Sequence, residues 1–173
     1  MAIDGYIRSH ALSGAFLAHQ LQSLADLISD QGEVVLKAAD LPFPARAVST
    51  VLLIGESGET STVEIASALK QPHQLVAQRV ELLIASGTVE RLDDPHDRRR
   101  KILRLTSQGA DQFSRMQDCL AQVARAFGDM FEELGCDLPA VTQRFAKALE
   151  DRSVHDRLED ASNRPQSSDR NFL

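Results

Sequence analysis

The 173-residue chain has no run of about 18 or more apolar residues, so no membrane-crossing helix is expected. Its first residues, Met1-Ala2-Ile3-Asp4-Gly5-Tyr6, lack the basic-then-apolar order of a secretory leader, and a cytoplasmic location is the plain expectation. Two cysteines, Cys119 and Cys136, are too few for a disulfide framework. The five histidines (His10, His19, His73, His96, His155) are scattered without metal-ligand spacing, so neither a metal nor another cofactor is expected. No Gly-rich phosphate loop, serine-nucleophile motif or paired-carboxylate signature stands out, which argues against an enzyme. Tryptophan is absent and aromatic residues make up 5%. Positive charge is also short: 19 Lys and Arg against 25 Asp and Glu leave a net charge of −6, which on its face disfavours a polyanionic partner.

What is present is an apolar content of 43% and a length sufficient for one domain with a real core. Ala, Leu, Gln and Arg are common, which favours helix. The charge is unevenly placed. Residues 59–110 hold eight basic and seven acidic side chains, whereas the rest holds eleven and eighteen. Five of those eight basic residues fall between Arg98 and Arg104, a basic tip on an acidic body.

Residues 10–30 read as a helix with a stripe of Leu12, Phe16, Leu17, Leu21, Leu24 and Ile28. Gly32 and the Pro42/Pro44 pair are expected to break it, with Leu41-Pro42-Phe43-Pro44 extended. Ala45 to Ile54 reads as a short buried helix ended by Gly55 and Gly58. Ser61-Thr62-Val63-Glu64 is a capping box that starts another short helix. Pro72 suits the first turn of the next, which runs to about Ser86 and ends at Gly87, with Val76, Val80 and Leu83 facing the core. Two short helices joined by a tight turn make a helix-turn-helix.

The period then changes to that of a strand. Thr88 to Leu92 is β-prone, Asp93-Asp94-Pro95-His96-Asp97 is turn chemistry, and Arg98 to Leu105 is a second strand. On that strand, Leu103 and Leu105 are expected on one face and Arg100, Ile102 and Arg104 on the other. Thr106 caps a long helix to about Leu134, with a seam of Phe113, Met116, Leu120, Val123, Phe127, Met130, Phe131 and Leu134 at three- and four-residue spacing. Gly135 stops it, and a last helix covers Leu138 to about Leu149. The fold class is mainly α with one small β-hairpin.

The residues Leu83, Gly87, Val89, Glu90 and Arg91, then Asp94-Pro95-His96-Asp97-Arg98-Arg99, then Leu105-Thr106-Ser107-Gln108-Gly109, set behind a helix-turn-helix, resemble the multiple-antibiotic-resistance-regulator (MarR) family of winged helix-turn-helix proteins. The likeness covers about residues 10–150 and is densest in 61–109. It implies a transcription regulator working as a homodimer on double-stranded DNA with a pseudo-palindromic operator, and more narrowly a repressor released by a small aromatic effector. It also implies a division into an N-terminal dimerisation part (1–44), a winged helix-turn-helix (45–109) and C-terminal dimerisation helices (110–150). From Asp151 onward the chain is polar with no sustained stripe, and 151–173 reads as a flexible polar tail. Leu17, Leu21, Phe113, Met116, Leu120, Phe127 and Phe131 are the expected subunit contacts.

With Val76, Val80 and Leu83 turned inward, His73, Gln74, Ala77 and Gln78 are left for the major groove. Glutamine can pair with adenine at two positions, and alanine can meet the thymine methyl. The resemblance assigns Arg99 to the minor groove, with Asp97 bracing it. Arg98, Arg100 and Lys101 are expected near phosphates, where they would fix register without reading sequence. Ser61 and Thr62 start a helix, and serve either as cap or as phosphate contact. Arg91, at the base of the wing, either touches phosphate or binds a neighbouring carboxylate. Two alternatives accompany this reading: a protein-interaction module, which the acidic balance permits, and a redox-responsive regulator using Cys119 and Cys136. An effector pocket is expected where the first helix, the short helix after Pro44 and the long helix meet.

Overall fold

The computed structural model describes residues 5–95 and 100–163. The order is α1 (Gly5–Ser9), a 3-10 turn (Ser13–Phe16), α2 (Leu17–Ala38), a second 3-10 turn (Ala45–Ala47), α3 (Val48–Ser57), α4 (Thr62–Ala68), α5 (His73–Ala85), β1 (Val89–Asp93), β2 (Lys101–Leu105), α6 (Ser107–Leu134), α7 (Leu138–Asp151) and α8 (Val154–Asn163). Chain contacts divide it into two compact units, residues 1–122 and 123–173. No described helix is long and apolar enough to cross a membrane.

The first long helix begins and ends later than its apolar stripe suggested. Residues 13–16 are a 3-10 turn, and α2 runs through Gly32 to Ala38. Gly32 does not break the helix. A Cβ there would meet the Ala45 methyl at 3.4 Å, an ordinary contact. After Asp40 the chain is extended, as the two prolines require, and Leu41 and Phe43 are buried. Gly55 likewise lies inside α3 rather than ending it. Its missing side chain is replaced by the Phe113 ring of α6, which a Cβ at Gly55 would overlap. Gly58, with φ of 73°, is where α3 stops.

The core of the first unit gathers Val51 and Ile54 from α3, Ile65 from α4, Val76, Val80 and Leu83 from α5, Val89 and Leu103 from the hairpin, and Met116 from α6. Phe113 and Leu120 pack against it. These three α6 residues were expected at a subunit seam, but the structure places them in or against the protomer's own core. The seam has the same three- and four-residue spacing that a core-facing stripe has, so periodicity could not separate the two.

Strands β1 and β2 pair antiparallel, with Val89 opposite Leu105 and Asp93 opposite Lys101. Thr60 adds a third rung at the root: its N–H donates to Leu103 O at 3.1 Å, and Leu103 N–H donates back at 2.7 Å. Both edges of β2 are therefore paired there, and Ile102 is buried as well as Leu103 although it shares the face of Arg104. Behind the hairpin, Thr106 Oγ1 donates to Gly87 O at 2.6 Å and accepts from Gly109 N–H at 2.8 Å. Gly109 rests directly on the Thr88 carbonyl, whose carbon lies 2.9 Å from where a Cβ would stand. The Leu-Thr-x-x-Gly segment is thus a lock between the hairpin and α6.

In the second unit, Asp137 caps α7 through Ala140 N–H at 3.0 Å. The polar tail expected from 151 onward is helical over 154–163. Ser153 and Asp156 form a reciprocal cap, with Asp156 N–H donating to Ser153 Oγ at 3.1 Å and Ser153 N–H to Asp156 Oδ2 at 3.2 Å. Ser-x-x-Asp at 153–156 was the available signal.

Candidate nucleic-acid interface

Helix α4 starts with the capping box read from the sequence. Ser61 Oγ accepts from Glu64 N–H at 3.3 Å, and Glu64 Oε2 accepts from Ser61 N–H at 2.8 Å. Ser61 thus has its structural role filled. Its hydroxyl also donates to Glu64 Oε2 at 2.9 Å, and that bond, followed by the Arg100 guanidinium, holds the Glu64 carboxyl below its ordinary range. The sign is that of a depressed acid: its stabilisation is complete above the ordinary Glu value of about 4.3 and is lost only as pH falls further. Acid titration followed by the NMR shift of the Glu64 carboxyl should accordingly show it still ionised at the ordinary Glu value of about 4.3.

The turn between α4 and α5 carries Lys70 at φ of 50°, and Pro72 caps α5 rather than entering its first turn. From there His73, Gln74 and Gln78 are exposed, and Ala77 is half-buried. The opposite side is sealed by Val76, Val80 and Leu83, each fully buried. The side chains read as base-facing therefore share the solvent side of α5.

Arg79 was not singled out from the sequence. It is only 9% exposed, donates to Gln71 Oε1, and has no partner for Nε among the described residues. Burial first, and then the nearby Arg46 charge, lower its pKa. Its position, three residues after Val76 and four before Leu83, puts it on the edge of the apolar stripe, and that was the signal.

On the hairpin, basic side chains are tied to carboxylates. Arg91, at the wing base, pairs with the Glu81 carboxylate. Arg100 reaches Glu64 at 2.7 Å and the buried Asp94 at 3.5 Å. Lys101 binds Asp93, and Arg104 binds Glu90 at 2.7 Å. Arg100 and Lys101, expected at phosphates, are thus internally paired. Asp97, Arg98 and Arg99 lie outside the described residues.

Leu17 and Leu21 on α2, half-exposed, are left uncovered by the protomer. Phe127 and Phe131 stack at 6.2 Å between ring centroids. Met130, Val141, Phe145 and Leu149 of the second unit are also exposed. A cleft of about 400 Å³ is lined by Val35, Ala38 and Ala39 of the α2 end and by Arg115, Asp118, Cys119 and Gln122 of α6. It lies between the end of α2 and α6, and the helix after Pro44 does not line it. Cys119 is buried and Cys136 exposed, both as free thiols. No cluster of metal-ligating side chains occurs among the described residues.

Residues 39–100 match the sequence profile of the MarR family. No curated protein sequence matches. Among solved structures, the chain resembles a MarR-family transcriptional regulator from Rhodococcus sp. RHA1 at 25% identity and a TM-score of 0.56, covering 82% of this chain and 94% of that one. A variant of E. coli MarR complexed with operator DNA is similar at 20% identity and 0.57, over 78% and 96%. The regulator BldR from Sulfolobus solfataricus is similar at 17% and 0.59, over 80% and 95%.

Proposed function

We propose that the chain, whose residues 39–100 match the MarR-family profile, is a winged-helix member of that family and acts as a homodimeric, sequence-specific DNA-binding transcription regulator. The observation that carries this is the two-sidedness of α5: an apolar side locked into the core and a side of His73, Gln74 and Gln78 open to solvent beside the hairpin. Gln74 and Gln78 read adenine edges in the major groove, and Ala77 meets a thymine methyl. Ser61 and Thr62 bring the α4 N-terminus to a phosphate. Arg99, steadied by Asp97, enters the minor groove, and Arg98 and Lys101 lie along the backbone. The exposed apolar side chains of α2, including Leu17 and Leu21, and those of α7 are covered by a second copy. Two half-sites roughly one helical turn apart then face the two winged helices. The cleft beside Arg115 and Cys119 takes a small aromatic effector whose binding releases the operator, which makes the regulator a repressor.

A gel shift with DNA flanking the protein's own gene tests the reading. Wild type should give a salt-sensitive, sequence-specific shift, and Arg99→Ala should weaken it about tenfold or more while leaving the thermal midpoint in place. Unchanged affinity at moderate salt would remove Arg99 from the interface. The absence of any specific shift at any salt would favour a protein-interaction module instead.

A further inference from the structure

We propose that Glu64 is a positioning residue for DNA binding, whose single carboxylate fixes the root of the hairpin against the start of α4. The proposal rests on the DNA-binding reading above. A capping residue at this position needs one oxygen, and Glu64 Oε2 alone fulfils that role: it accepts from Ser61 N–H at 2.8 Å, Ser61 Oγ at 2.9 Å and Thr60 Oγ1 at 3.3 Å. Oε1 is surplus to the cap. It accepts instead from the Arg100 guanidinium at 2.7 Å, across 36 positions of sequence. Arg100 extends to the Asp94 carboxylate at 3.5 Å, and Asp94 N–H closes on Arg100 O at 3.2 Å. Asp94 and Arg100 are thus tied to each other, and Arg100 is held in turn by Glu64.

Stability is a poor explanation for this contact. Both partners are roughly half exposed, and exposed ion pairs contribute little. Geometry is a better one. A recognition helix and a wing that must engage one duplex together need a fixed relation, and a loose wing lowers specific affinity without affecting contacts that any DNA offers.

Glu64→Gln separates the two roles, because glutamine completes a capping box but carries no charge for Arg100. The DNA-free variant should melt as wild type does, while the Asp94 amide, held by the Arg100 carbonyl, exchanges with deuterium about threefold to fivefold faster. Operator affinity should fall by about fivefold, with affinity for unrelated DNA unchanged. Arg100→Gln should reproduce both effects, and the double variant should be no worse than either single one. Three outcomes would overturn the proposal. One is unchanged amide exchange in Glu64→Gln, which needs no DNA to observe. Another is unchanged operator affinity in that variant. The third is a uniform gain on all DNA in Glu64→Gln, which would mean that Glu64 only withholds Arg100 from phosphate. Failure of the wild type itself to bind any operator would instead remove the DNA-binding reading, leaving the exchange experiment to decide the docking contact.

Discussion

Gly109→Ala should lower the melting temperature by about 6–12 °C, the counterpart of about 3 kcal/mol of overpacking in a chain of this size. The added methyl would overlap the Thr88 carbonyl oxygen, and the carbonyl carbon stands only 2.9 Å away. Neither atom can rotate aside. Thr88 is fully buried, its oxygen receives Thr106 N–H at 3.1 Å, and Thr106 in turn caps the helix that contains Gly109. Relief requires moving either the first turn of α6 or the strand leading into the hairpin. Differential scanning calorimetry at matched protein concentration would check this, and a drop under about 2 °C would show that the close approach is not maintained in solution.

Met116→Ala should destabilise the first unit by about 2–5 kcal/mol, because the side chain is fully buried among core residues. The subunit equilibrium should respond differently. Sedimentation at a temperature where the variant remains folded should give the wild-type monomer–dimer constant, since the residue is enclosed by its own protomer. Leu21→Asp should do the reverse, dissociating the proposed dimer at concentrations where the wild type associates while leaving each winged helix folded. If Met116→Ala dissociates the dimer before it unfolds the chain, the placement of α6 against the core would be wrong.

The parts of the fold written in local chemistry were legible. The Ser61–Glu64 box, the prolines at 42 and 44, the core triplet Val76, Val80 and Leu83, and the change of period at Thr88 all stand where the sequence puts them. What escaped depends on partners distant in the chain. Gly32 and Gly55 read as helix stops because glycine often is one, yet both lie inside helices, and at Gly55 the Phe113 ring occupies the place of a side chain. Alternation puts Ile102 on the face of Arg100 and Arg104, and alone gives no sign that it is buried like Leu103. Helix α8 escaped because its stripe is thin, although its cap was visible. At the candidate interface, the residue types and the solvent side of α5 were readable, whereas the pairing of Arg100 with Glu64 was not. Charge patterns give no register between segments 36 residues apart.

The ion pairs on the hairpin bear on how such a protein would find its target. Arg91, Arg100, Lys101 and Arg104 each face a carboxylate, on a chain whose overall sign already repels a polyanion. These four side chains therefore add little long-range attraction, and encounter should fall nearer the unsteered rate of about 10⁵–10⁷ M⁻¹s⁻¹ than the steered one, to the extent that Arg98 and Arg99 do not supply it. Brief visits to random DNA follow from the same neutrality. A regulator of this kind would search by repeated dissociation rather than by long slides, and would gain residence time chiefly where the base edges fit.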